Sequence, residues 1–115
     1  MERILIHKVL TCNRTLYKIY KQQSILPVSV GFKIYKIMKL FDEVEEYVFN
    51  ITEMVFNEIT WTDMTEEQKE FYNNIISSEI ELDYEKIDKA FFENNDKLML
   101  SLEDIDNLSI IISEN

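Results

Sequence analysis

The chain has 115 residues, 46% of them hydrophobic, which suits one domain with one modest core. It contains one glycine, one proline and one cysteine. So few turn-forming residues disfavour sandwiches, barrels and glycine-rich phosphate loops, which need many residues with positive φ. A lone cysteine excludes an internal disulfide. The composition therefore predicts a mainly α fold.

Charge is distributed unevenly along the chain. Up to Lys39, eight basic residues stand against Glu2 alone, a balance of about +7. The remaining residues hold four lysines against 21 acids, about −17, and the whole chain carries −10. The molecule is therefore strongly polarised, with a basic N-terminal third and an acidic remainder.

The first segment carries apolar residues at a spacing of three and four, which is typical of one helix face. These residues are Leu5, Val9, Cys12, Leu16 and Ile19. We predict a first helix over residues 7–22, with residues 3–6 either extending it or forming a short strand. A connection follows at Pro27, because proline lacks a backbone donor and pushes the preceding residue out of the α region.

The next segment has the clearest apolar stripe in the chain, with strict three-and-four spacing over three heptads. Its members are Ile34, Ile37, Phe41, Val44, Val48, Ile51 and Val55. We predict a long helix over residues 28–60, roughly 45 Å at about 1.5 Å per residue, packed antiparallel against the first. Because the first helix covers only about half of this length, the remaining apolar length must meet the C-terminal segment or another chain. We favour another protein chain and assign the stripe, with Phe49 and Phe56 beside it, as the interaction surface.

The segment after the long helix has signals of both helix and strand. Thr65 followed by Gln68 matches a capping box and predicts a helix that ends near residue 77. Alternation of polar and apolar residues over 79–84 favours a short strand. Residues 85–93 are predicted to form one or two helical turns.

The end of the chain has a second capping signal. Ser101 with Asp104 three residues later predicts a short helix over 102–108. The β-branched run 110–112 is expected to form a buried strand or an apolar plug. Residues 65–115 thus make an acidic mixed portion. The whole chain, 1–115, is expected to be a single mainly α domain, an antiparallel helical hairpin with a small C-terminal α/β portion.

Few residues are suited to catalysis or to metal binding. His7 and Cys12 would lie on different helix faces, so they do not form a nucleophile pair, and Cys12 is expected in the core. One histidine and one cysteine do not make a tetrahedral zinc site. Glu79, Glu81 and Asp83 would share a strand face, where a solvated acidic face is favoured over a magnesium or calcium site. We expect no enzyme activity, no cofactor and no metal.

A basic patch is predicted around the helical turn. It consists of Arg14, Lys18, Lys21, Lys33, Lys36 and Lys39. Tyr17, Tyr20 and Tyr35 lie near enough in sequence to offer stacking surfaces for nucleic acid. Because the acidic remainder would repel a phosphate backbone, we favour an intramolecular role, in which the basic tip pairs with the acidic C-terminal portion.

The acidic residues allow a different function. They include Asp42, Glu43, Glu45, Glu46, Glu66, Glu67, Glu70, Glu79 and Glu81. Such a surface could mimic a nucleic-acid backbone and block a host or defence protein. A small acidic phage inhibitor is therefore the alternative hypothesis.

The order of short segments supplies a further indication. A short N-terminal helix is followed by the linker 26–28, the run 32–39 leading into an acidic long helix, then 80–83 and a closing 100–105. This order resembles an uncharacterised family of short phage proteins, typically encoded near tail and structural genes in phages of low-GC bacteria. The resemblance covers most of the chain and implies a phage origin with a virion or assembly role. The family has no assigned catalytic residues.

These observations together predict a phage-encoded, non-enzymatic protein-interaction module, a small virion or tail-assembly component. Its expected partners are other protein chains: a second copy, phage structural proteins or, in the alternative hypothesis, a host protein. Nucleic acid is disfavoured. No membrane partner is expected, since charges interrupt every apolar run well before the roughly 20 residues that a span needs. The expected location is the virion or the host cytoplasm.

Overall fold

A computed structural model describes residues 2–22, 26–56, 63–95 and 97–114, and their side chains except those of 53–56. The elements are β1 (Glu2–Leu5), α1 (Ile6–Tyr20), α2 (Val28–Phe56), α3 (Glu66–Ile76), β2 (Glu79–Leu82), β3 (Ile87–Asp88), α4 (Lys89–Glu93), α5 (Leu102–Asn107), a 3-10 turn (Ser109–Ile111) and β4 (Ile112–Ser113). The fold is mainly α, as predicted.

Helices α1 and α2 form the antiparallel hairpin. Tyr20, at the end of α1, lies beside Gly31 near the start of α2. Leu10, in the first half of α1, lies instead beside Val48 and Phe49 in the second half of α2. The predicted hairpin is therefore confirmed. The predicted last residues of the long helix, 57–60, lie outside the described residues.

The two apolar stripes of the hairpin meet in the core. The fully buried apolar side chains on α1 are Val9, Cys12, Leu16 and Ile19, and the apolar side chains with 0–1% exposure on α2 are Ile34, Ile37 and Phe41. This is the spacing that identified the stripes, because residues three and four apart share one helix face. The hairpin is thus held by the same residues that predict it.

The C-terminal portion closes the core over α2. The rings of Phe41 and Tyr84 meet edge to face, with centroids 5.5 Å apart. The Tyr84 hydroxyl donates a hydrogen bond to the Ile110 carbonyl oxygen at 2.7 Å. Leu108 and Ile111 are fully buried in the same cluster. Of the run 110–112, predicted as a buried strand or an apolar plug, Ile111 is buried in the 3-10 turn and Ile112 begins strand β4.

Strands β1 and β2 pair antiparallel beside the hairpin, with Ile4 opposite Ile80. Ile4 in β1 and Ile6, the first residue of α1, are both buried, so the chain enters the core where the strand passes into the helix. The Ile6 amide donates to the Ser78 carbonyl oxygen at 2.9 Å. Of residues 3–6, for which a helical extension and a strand are both predicted, 3–5 form the strand and Ile6 begins the helix.

Both predicted capping boxes are present. The Thr65 side chain accepts from the Gln68 amide while the Gln68 side chain accepts from the Thr65 amide, and Ser101 and Asp104 do the same at the start of α5. Each box satisfies amides that have no partner within the helix.

The prediction for residues 85–93 was partly wrong. Ile87 belongs to β3, which pairs in parallel with β4 opposite Ile112, and only Lys89–Glu93 is helical. Ile87 is 1% exposed. Its burial against the end of the chain favours the strand, a long-range contact that local periodicity does not report.

Candidate interaction surface

A polar cluster fixes the register of the hairpin. Asn13 is fully buried on α1, and its Nδ2 donates to Asp42 Oδ1 on α2 at 2.8 Å. The Tyr17 hydroxyl donates to the same carboxylate at 2.9 and 2.8 Å. This hydrogen bond to Asp42 raises the pKa of Tyr17, because the phenol must stay protonated to donate. The Asp42 carboxylate is therefore engaged within the fold.

The candidate nucleophile is inaccessible. Cys12 is fully buried, and burial raises the pKa of its thiol to about 12. A thiol in this environment is protonated at neutral pH and is a poor nucleophile. His7 is exposed, on the side of α1 that faces away from the core. The prediction that Cys12 is a core residue is confirmed.

The acidic strand pairs with an arginine. The Arg3 Nε lies 3.7 Å from a carboxylate oxygen of Glu79 and 3.6 Å from one of Glu81. Asp83 lies beyond β2, so the three predicted acids do not share one strand. Among the described residues, no group of three histidine, cysteine or acidic side chains is placed to hold a metal ion.

Part of the predicted basic patch pairs with the acidic C-terminal portion. Lys18 Nζ lies 2.9 Å from Asp104, and Lys33 Nζ lies 3.2 Å from Glu85. The backbone hydrogen bond from Ser101, followed by the one from Lys18, lowers the pKa of Asp104. These contacts follow the predicted intramolecular pairing, and they reduce the positive charge available to a nucleic acid.

The other basic residues do not converge on one site. Lys21, Lys36 and Lys39 are exposed and form no ion pair within the described ranges. Lys39 Nζ lies 5.5 Å from the centroid of the Tyr35 ring, a cation–π distance. Arg14 lies apart from them, beside a groove that contains Phe49.

The predicted interaction stripe of α2 is mostly core, which corrects that assignment. The buried members, all 5% exposed or less, are Ile34, Ile37, Phe41, Val44 and Val48. Ile51 is half-buried beside Ile75 of α3 and Ile80 of β2. The elements that follow α2 therefore cover Ile51 in part. The side chains of Val55 and Phe56 lie outside the described residues.

Phe49 differs from the other described residues of the predicted stripe, because 61% of its surface is exposed. At about 100° per residue, it lies about 80° around α2 from Phe41, at the edge of the exposed side. The middle of that side, near Phe32 and Asn50, is opposite Phe41. We call this side the outward face. Its exposed residues are Val28, Ser29, Phe32, Tyr35, Lys36, Lys39, Glu43, Glu46, Tyr47, Phe49 and Asn50.

The outward face is unusually apolar for an exposed helix side. Val28 is 74% exposed, Phe32 63% and Tyr35 51%. Single exposed apolar residues are common on proteins, but a row on one helix face marks an interaction site. The sequence contained this signal, since these three residues recur at a spacing of four and three. It was masked by the lysines and glutamates on the same face.

A cleft adjoins the outward face at the start of α2. It encloses about 450 Å³ and is lined by Tyr20, Leu26, Pro27, Val28, Gly31, Phe32, Ile34 and Tyr35. A Cβ built at Gly31 would meet no atom within 4 Å. No packing contact thus requires glycine here, although glycine destabilises a helix by about 1 kcal/mol relative to alanine. We call this the Gly31 cleft.

No protein-family model matches the chain, and no curated protein or solved structure is significantly similar to it. The resemblance to short phage proteins therefore stays a prediction. Within the described residues, no helix combines the length and apolarity that crossing a membrane would need. The interpretation of the site depends on the geometry of α2.

Proposed function

We propose that the protein is a phage-encoded, non-enzymatic protein-interaction module that acts in the virion or its assembly. It binds its partner through the outward face of α2. The observation that carries this proposal is the exposure of Val28, Phe32, Tyr35 and Phe49, each 51–74% exposed, on a helix whose opposite side is buried. Covering them removes apolar surface from water, which favours association.

The chemistry of the described side chains supports a binding role. The cysteine is buried, the Asp42 carboxylate binds Asn13 and Tyr17, and the Asp104 carboxylate binds Lys18 and caps α5. Each group serves the fold. The outward face and the grooves beside it are the surfaces that we propose for binding.

The phage assignment is supported by the segment order that resembles short phage proteins. Mass spectrometry of purified virions and of assembly intermediates tests it. We expect the protein in at least one of them. Its absence from both would overturn the assembly role.

A matched pair of variants tests whether the outward face is the binding surface. Phe32→Ala removes an aromatic ring from it, and Leu102→Ala removes an 86% exposed side chain from α5. We expect Phe32→Ala to reduce the amount retained by particles or intermediates and Leu102→Ala to leave it unchanged. If particles or intermediates retained Phe32→Ala as well as they retain Leu102→Ala and the wild type, binding would be assigned to another surface.

The alternative, inhibition of a host or defence protein, is supported by acids on α2 and α3. Glu43, Glu46, Glu67 and Glu70 are exposed and form no ion pair in the described part of the chain. Expression of the protein alone in the host, followed by identification of proteins co-purified at low salt, tests this function. A stable host partner that is lost on Glu43→Gln/Glu46→Gln substitution would favour inhibition over assembly.

A further inference from the structure

We propose that the partner of the outward face is a second copy of this chain. Two α2 helices pair antiparallel about a two-fold axis at the level of residues 40–41, and Phe49 of each chain enters the Gly31 cleft of the other. This inference rests on the proposed function, because it names the partner of the same surface.

The spacing of the outward face suits helix pairing. Val28, Phe32, Tyr35, Lys39, Glu46 and Phe49 follow one another at steps of four, three or seven residues. Such a row stays on one side of a helix and forms a seam along it. From Val28 to Phe49 the seam is roughly 32 Å long at about 1.5 Å per residue.

Charge determines the relative direction of the two helices. The first half of the outward face carries Lys36 and Lys39, and the second half carries Glu43 and Glu46. Antiparallel pairing places Lys36 opposite Glu46 and Lys39 opposite Glu43, so both of these contacts join opposite charges. Parallel pairing would place like charges together.

The Gly31 cleft supplies the apolar part of the contact. In this register Phe32 of one chain faces Phe49 of the other, and Gly31 lies beside that phenyl ring. A cavity of about 150 Å³ is enough to bind benzene, so the cleft of about 450 Å³ has room for the ring. A side chain at Gly31 would occupy that room. The glycine therefore keeps the cleft open for the partner's ring, whereas packing within the chain does not require a glycine here.

The size of the contact indicates its strength. A seam of roughly 32 Å by about 10 Å covers far less than the roughly 1,200 Å² of total buried surface found in stable complexes. We therefore expect a weak dimer that depends on concentration and salt. The two-fold pairing is closed, so it yields dimers and not filaments.

Sedimentation equilibrium of the full chain tests the inference, between roughly 10 µM and 1 mM, where weak complexes dissociate. We expect the wild type to approach the dimer mass as concentration rises. Lys36→Glu and Glu46→Lys should each raise the dissociation constant by at least about tenfold, because each places like charges in contact. Circular dichroism of each variant verifies its fold.

Two combinations provide the matched controls. The double variant Lys36→Glu/Glu46→Lys restores opposite charges in an antiparallel pair, and so does an equimolar mixture of the two single variants. Both should dimerise like the wild type. A monomeric wild type at all concentrations, single variants that dimerise normally, or a double variant as weak as the singles would each overturn the inference.

A variant without a change of charge tests the contribution of the Gly31 cleft to dimerisation separately from that of the ion pairs. Phe49→Ala should also raise the dissociation constant by at least about tenfold, or about 1.4 kcal/mol. Unchanged dimerisation would remove Phe49 from the contact and overturn the proposed register. A monomeric protein that is still retained by phage particles through Phe32 would contradict this inference and leave the proposed function standing.

Discussion

The two faces of α2 carry similar apolar spacing and have different fates. The inward face places Ile34, Ile37 and Phe41 in the core at 0–1% exposure, while the outward face leaves Phe32 63% exposed on the same helix. Val28, Phe32 and Tyr35 of the outward face recur at steps of four and three residues, as the inward residues do, so periodicity alone does not separate the two faces. What separates them is what packs on each: α1 and the C-terminal portion cover the inward face only.

The comparison shows that one helix can use one face for folding and the other for association. Residues of the inward face are expected to determine stability, because their burial is complete within one chain. Residues of the outward face contribute little to the folded monomer, since they remain in water. A substitution on each face should therefore change a different measured quantity.

The largest effect is expected for Phe41→Ala. Removing this fully buried ring loses its contact with Tyr84 and leaves a cavity, which should lower the free energy of unfolding by about 3–5 kcal/mol. Phe32→Ala is the matched control on the other face, with an expected change within about 0.5 kcal/mol. Urea unfolding of dilute protein measures both. Equal losses would show that the two faces are not distinct.

A smaller loss is expected for Asp42→Ala, between the faces. The substitution removes the carboxylate that accepts hydrogen bonds from Asn13 and Tyr17, and the buried Asn13 amide loses this acceptor. The free energy of unfolding should fall by about 1–3 kcal/mol. Glu43→Ala, at the next and exposed position, should change stability by less than about 0.5 kcal/mol. Urea unfolding of dilute protein measures both changes. A neutral Asp42→Ala would mean that the cluster does not fix the hairpin.

Asp104→Asn tests the contact between the basic tip and the C-terminal portion. The variant keeps the side chain's shape and loses the charge that faces Lys18 and the N-terminus of α5. We expect it to be less stable by roughly 1 kcal/mol at neutral pH.

The pH dependence of this variant follows from the lowered pKa of Asp104 in the folded chain. A lowered carboxyl pKa gives stability that is fully present above the unfolded value of about 3.9 and is lost as pH falls through the folded value. The difference between wild type and variant should therefore shrink below about pH 4. Thermal unfolding from neutral to acid pH measures it, and a constant difference would contradict the assignment.

The smallest effect is a gain. Gly31→Ala should stabilise the monomer by about 0.5–1 kcal/mol, because the helix gains propensity and the new methyl group meets open space. The same variant should weaken dimerisation, since it narrows the Gly31 cleft. Unfolding in dilute solution and sedimentation at high concentration measure the two effects. A destabilised monomer would show that the glycine serves the fold itself.

Much of the fold was predictable from local patterns. The capping signals at Thr65 and Ser101 identified two helix starts, and Pro27 marked the connection before α2. These features depend on neighbours within a few residues, which a sequence shows directly.

Contacts between distant segments were not predictable in this way. Periodicity identified the apolar face of α2 but not what covers it, so Val48 was assigned to a partner surface when it is buried within the chain. Ile87 is predicted in a helix but belongs to a strand. Its pairing with Ile112 joins segments far apart in sequence, and local patterns do not report such a contact. The outward face was overlooked because charged residues interrupt its apolar row, and only the fold shows that the row remains exposed.

The most direct test of the two-face account is the solution mass of Phe32→Ala beside wild type over a concentration series. The account predicts that the variant stays monomeric at concentrations where the wild type dimerises, with an unchanged free energy of unfolding in dilute solution. A variant that dimerises like the wild type, or that is destabilised as much as Phe41→Ala, would contradict it.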